Sequence, residues 1–155
     1  MAGFLVPDVD DVVEMLSMLF GGDVDATPIT ATPDAHCFCG SFIDDGGALT
    51  SLCVASLPFV GYSGAALSMM PAGAAKDMID ENDLSKTLLE NFYEVMNVCS
   101  RLFMSDSSPH LKLSAVHKQA DTPAKIAELG APRLQRAFDI AIPRYGKGQL
   151  FFLTK

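Results

Sequence analysis

The sequence predicts an α+β domain in which long helices pack on a mainly antiparallel sheet. Three observations carry this expectation. Two segments show apolar residues at helical spacing, strand-like runs follow each of them, and short turn signals join neighbouring runs. The 155 residues suit one domain, 1–155, large enough to bury a core without disulfides or metal.

The first helix is expected over Asp8 to Phe20, where Val9, Val12, Val13, Leu16, Leu19 and Phe20 repeat at three-and-four spacing. Pro7 and Asp8 suit its start, and Gly21-Gly22 its stop. A loop rich in Thr and Pro is expected from Asp23 to Pro33. Three strands should follow: Ala35 to Ile43, Ala48 to Leu57 and Phe59 to Met70. Asp44-Asp45-Gly46-Gly47 is a hairpin signal between the first two. Pro71 then opens a short helix ending near Ile79.

The clearest element is a helix from about Leu84 to Phe103, capped by Asp83 or Ser85. Leu88, Phe92, Val95, Cys99 and Leu102 form its apolar stripe. His110 to His117 reads as a strand and Pro123 to Leu129 as a short helical turn. Leu134 to Ile142 and Gln149 to Thr154 read as strands joined through Pro143-Arg144-Tyr145-Gly146. The halves, about 1–82 and 83–155, share a plan of helix, Pro/Thr-bearing segment and strands, which suggests a duplication.

Composition narrows the function. A net charge of −8 without a Lys/Arg cluster argues against nucleic acid and anionic membrane surfaces as partners. No targeting segment and no apolar run of spanning length stand out, so the expected location is the cytoplasm. Cys37, Cys39, Cys53 and Cys99 then read as free, buried thiols. His36-Cys37-Phe38-Cys39 has the wrong spacing for zinc and no second Cys/His pair, so no metal site is expected. His36, His110 and His117 are scattered and read as structural. Gly61-Tyr62-Ser63-Gly64 lacks the lysine and spacing of a phosphate loop. Met69, Met70, Met78 and Met96 read as core filler or a packing layer.

The polar face of the long helix holds Glu90, Glu94, Asn97 and Arg101, at steps of four, three and four, so all four project from one side. A helix lying on a sheet has a solvated outer face in any case, and Glu, Asn and Arg suit it. Asn97, a mediocre helix former in mid-helix, gains nothing obvious there. The first helix repeats the spacing with Asp10, Glu14, Ser17 and Gly21, each 80 residues before its counterpart.

These residues carry a resemblance. The stretch "LLENFYEVMNVCSRLF", with "AALSMMP" before it and "HLKLSAVHKQADTP" after it, resembles the CheC/CheX family of chemotaxis phosphatases. The likeness is good over about Gly61 to Pro123, weaker to Lys155 and faint before Gly61. The family signature is Asp or Ser, three residues, Glu, two residues, Asn, and a later Pro. Glu90, Glu94 and Asn97 occupy those places. Glu90 departs from the usual Asp or Ser, and Pro123 lies a few residues beyond the family spacing. Asp10, Glu14 and Ser17 form a degenerate first-half counterpart, leaving one intact site, as in CheX-like members.

The resemblance implies a CheC-like pseudo-duplicated fold and a phosphatase acting on the aspartyl phosphate of a CheY-like response-regulator receiver. Asn97 would position the hydrolytic water and Glu94 would anchor the receiver's lysine, with Glu90 and Arg101 touching the partner. The protein would need no cofactor of its own, since Mg²⁺ is held by the receiver. Two other readings stand beside this one: a non-catalytic module of the same fold that docks a receiver or a motor-switch protein, and a structural helper unrelated to phosphorelays. Pairing as a homodimer is left open.

Overall fold

The computed structural model describes residues 3–155. Its elements run in the order α1 (Val9–Phe20), β1 (Asp25–Ile29), β2 (Phe38–Asp44), β3 (Leu49–Ala55), α2 (Leu57–Ser68), α3 (Ala72–Asp80), α4 (Lys86–Cys99), a 3₁₀ turn (Ser100–Phe103), β4 (Leu111–His117), α5 (Thr122–Leu129), β5 (Leu134–Ile142) and β6 (Gly146–Thr154). The α+β architecture expected from the sequence is what the chain adopts. Among the described residues, no helix is long and apolar enough to cross a membrane.

All six strands join one sheet in the order β1-β5-β6-β3-β2-β4, and every neighbouring pair is antiparallel. Exchanging β1 with β4, β2 with β5 and β3 with β6 returns the same order reversed. The strands of the two halves are therefore interleaved about an axis between β3 and β6.

One face of the sheet carries α1, α2 and α4. Val12 and Leu16 of α1, Phe59 and Val60 of α2, and Phe92, Val95, Met96 and Cys99 of α4 bury against strand residues such as Phe42, Cys53, Phe138 and Phe152. Phe42, Phe103, Phe152 and Phe138 form a chain of ring contacts with centroids 5.2, 5.6 and 6.0 Å apart, tilted or edge-on as aromatic quadrupoles favour. The opposite face carries α5, whose Ile126 and Leu129 cover Cys37, Cys39, Leu52, Val54 and Phe151. All four cysteines are buried and free. Burial pushes the Cys37 thiol up to about 12, with Asp34 beside it, and Cys39 up to about 11, so neither is poised as a nucleophile.

Three sequence expectations need correction. Phe59 to Met70 is not a strand but the body of α2. Ser56 caps this helix by accepting from Phe59 N–H, and Pro58 sits in its first turn. Its small residues let it sink between neighbours: Leu57, Phe59, Val60, Gly61, Ser63, Gly64 and Ala65 are all buried. A helix buried on nearly every side shows no amphipathic period, and its apolar run mimics a buried strand. The loop from Asp23 to Pro33 contains β1, paired with β5 from Asp25↔Ala141 to Ile29↔Ala137. Pro28 is tolerated there because β1 is an edge strand. Met69 is not core filler; it ends α2 with φ 58° and is 85 % exposed.

Candidate functional site

The long helix is built to hold one face still. Ser85 caps α4 by accepting from Leu88 N–H. Leu88, Phe92, Val95, Met96 and Cys99 anchor its inner side. Against α2 the two backbones nearly touch: a Cβ on Gly64 would stand 2.7 Å from the Leu88 carbonyl oxygen, closer than any side chain permits. Asn91 fastens the same contact, its side-chain amide donating to the Gly64 carbonyl at 2.9 Å.

On the outer side the structure places Glu90, Glu94, Asn97 and Arg101 in solvent. Glu90 lies 3.8 Å from Lys86 one turn back, an exposed pair of little energetic weight. Glu94 and Asn97, one turn apart, take no side-chain hydrogen bond or ion pair with any described residue. Asn97 contributes only its carbonyl, which accepts from the Ser100 hydroxyl at 2.8 Å. Its amide, a donor and an acceptor in one group, is free to meet another molecule. Tyr93 joins this face, 42 % exposed and within a turn of Glu90 and Asn97. Sequence reasoning did not single out Tyr93. The signal was available, since it is a large ring standing off the apolar stripe.

Arg101 also borders a groove. It lies in the 3₁₀ turn beyond α4 and lines a groove of about 530 Å³ running between α4, α1 and residues 5–7. Glu14 of the first-half set lines the same groove. Of the four α4-side residues, Glu90, Glu94 and Asn97 form an open triad, while Arg101 lines the groove together with Glu14 of the first-half set.

The first-half set is arranged otherwise. Asp10 and Glu14 are exposed, but Ser17 is half-buried and its hydroxyl accepts from Val24 N–H at 3.0 Å. Gly21, the counterpart of Arg101, ends α1 in the left-handed conformation at φ 70°. Pro123 opens α5, on the sheet face opposite α4. Among the described residues, no three His, Cys, Asp or Glu side chains converge as metal ligands.

No family model and no curated protein matches the chain. Solved structures do. The FliM middle domain of Vibrio alginolyticus superposes with a TM-score of 0.60 at 7 % identity, covering 94 % of this chain and 88 % of that one. The FliM middle domain of H. pylori superposes at 0.55 with 8 % identity, covering 94 % and 84 %. Thermotoga maritima FliY superposes at 0.52 with 13 % identity, covering 94 % and 89 %. Identities this low establish the fold alone. That fold agrees with the CheC-like class read from the sequence.

Proposed function

We propose that this chain is a docking module of the CheC/FliM-like fold that engages a response-regulator receiver through the outer face of α4. The observation that carries the reading is the free state of Glu94 and Asn97. Both are exposed and one turn apart, neither has a side-chain hydrogen-bond or ion-pair partner among the described residues, and their helix is pinned against α2. Such pre-organisation lowers the ordering cost of association. Docking is also supported by the use of the same fold elsewhere: the FliM of H. pylori has been solved in complex with another protein, SpeE. In this arrangement Glu94 pairs with a receiver lysine and sets register, Tyr93 supplies apolar contact, and Glu90 stays on the rim.

Hydrolysis is the second reading, favoured by the free amide of Asn97. Inserted beside a phosphoaspartate, that amide would orient water for in-line attack at phosphorus, breaking the bond to the aspartate oxygen and releasing inorganic phosphate. The step needs positioning more than a strong base, and the charge-stabilising Mg²⁺ belongs to the receiver.

One experiment separates these readings. Phosphorylated, Mg²⁺-loaded receivers from the same organism are mixed with wild type, Glu94→Ala or Asn97→Ala, and both binding and phosphate release are followed. Docking is supported by binding that Glu94→Ala weakens about tenfold, the scale of one lost interfacial charge pair. Accelerated release, abolished by Asn97→Ala while binding survives, would add hydrolysis. Absence of binding across the receivers would overturn both.

A further inference from the structure

The groove beside the candidate site has features of its own. Leu5, Met15, Met18, Val98, Leu102 and Met104 give it an apolar lining. Leu5 is 45 % exposed and Met18 79 %, so two of the four exposed large apolar side chains among the described residues meet here. Three of the nine apolar residues lining it are methionines, whose unbranched, polarisable side chains repack around different contours.

The wall formed by residues 5–7 is fixed. Leu5 N–H donates to the Phe103 carbonyl at 2.8 Å. Arg133 donates to the Phe4 carbonyl at 2.7 Å and Arg136 to the Pro7 carbonyl at 3.2 Å. The hollow is therefore preformed, the usual state of a binding groove.

Its rim is charged asymmetrically. Asp11 and Glu14 line the α1 wall and Arg101, from the 3₁₀ turn after α4, the facing wall, and neither Glu14 nor Arg101 forms an ion pair with any described residue. The α1 wall continues into the exposed carboxylates of Asp8 and Asp10, on a chain whose net charge is −8.

We infer that this groove binds an amphipathic helical segment of another protein, apolar along one face and carrying Lys or Arg on the flank that meets Asp11 and Glu14. Apolar anchors at i, i+3 or i+4, and i+7 fill the methionine-lined floor. The basic flank answers the acidic wall, and Arg101 meets an acceptor on the other side. Glu94 and Asn97 are not needed, so the inference does not depend on receiver docking.

The test is a selection from a displayed library of helical peptides about fifteen residues long, near the minimum for an isolated helix. The library is panned on wild type and counter-selected on Met18→Asp. The expected survivors combine the apolar spacing with Lys or Arg on one flank. Measured by fluorescence anisotropy, they bind wild type at least tenfold more tightly than Glu14→Lys. Met18 is exposed, so Met18→Asp should keep the wild-type circular dichroism spectrum and thermal midpoint. No enrichment over the counter-selected protein, or survivors with an acidic flank, would overturn the inference. So would sedimentation showing that wild type is a dimer which Met18→Asp dissolves, because the occupant would then be a second copy.

Discussion

α1 and α4 occupy equivalent places on one sheet face and repeat one spacing of polar residues, yet they differ in what those residues do. In α4 the residue two places along the set is Asn97, with its amide open to solvent. In α1 it is Ser17, with its hydroxyl tied to the Val24 backbone. The next position is Arg101 at the rim of a groove in one case, and Gly21, a left-handed helix stop, in the other. A shared spacing therefore reports a shared scaffold, not shared chemistry. The role is decided by whether the chain beyond the helix turns back and claims the side chain.

This comparison can be broken or sharpened by substitution. The largest effect belongs to what fixes α4. Gly64→Val forces α2 away from Leu88 and removes close packing, so unfolding free energy should fall by about 3 kcal/mol or more. Urea denaturation should show it, with receiver binding lost in parallel. If Gly64→Val is neutral, α4 is not pinned as described.

Ser17→Ala comes next. It leaves the amide of buried Val24 unpaired, at a cost of about 1–2 kcal/mol. Its counterpart Asn97→Ala should change stability by less than about 0.5 kcal/mol, since the side chain is exposed and no side-chain hydrogen bond to a described residue is lost. Equal losses at the two positions would remove the distinction between a structural and an open site.

The comparison extends to the outer strands. β4 ends in His117, whose Nε2 lies 2.8 Å from the Ser41 hydroxyl of β2; its counterpart β1 ends in Ile29. Burial first, and Lys125 second, lower the His117 pKa from its ordinary value of 6.5. A pKa lower in the folded state means that the unfolded chain binds the proton more readily. The stability this group contributes is thus present above about pH 6.5 and lost as pH falls through the folded value. Urea midpoints measured from about pH 8 down to pH 5 should decline more steeply for wild type than for His117→Gln. The ring is partly open to solvent, so the difference should be small.

Much of this was legible beforehand, for definite reasons. α1 and α4 each carry a one-sided pattern, because each has one buried and one wet face, while the β2–β3 and β5–β6 hairpins are marked by apolar runs flanking turn residues, although β2 and β3 are buried on both faces. α2 was misread because it is buried nearly all round, and β1 because a short Pro-bearing edge strand has the composition of a loop. The spacing of Glu90, Glu94 and Asn97 pointed to a common exposed face, which is where they lie. The groove had no sequence signature. Its lining comes from three separated stretches, and Met18 read alone is an ordinary surface methionine.

The interleaved strand order bears on how the chain is made. β6 is the last of the six strands in chain order, yet it sits at the centre of the sheet between β5 and β3. β1 is the first of the six and waits for β5, more than a hundred positions later in the chain, before it has a partner. Neither half forms a continuous sheet by itself, and three of the five pairings, β1–β5, β3–β6 and β2–β4, join strands far apart in the chain. Such topologies fold slowly and expose unpaired edges meanwhile. Deleting even the last few residues of β6 should therefore harm accumulation of the protein in cells far more than an equal deletion within the α3–α4 connection.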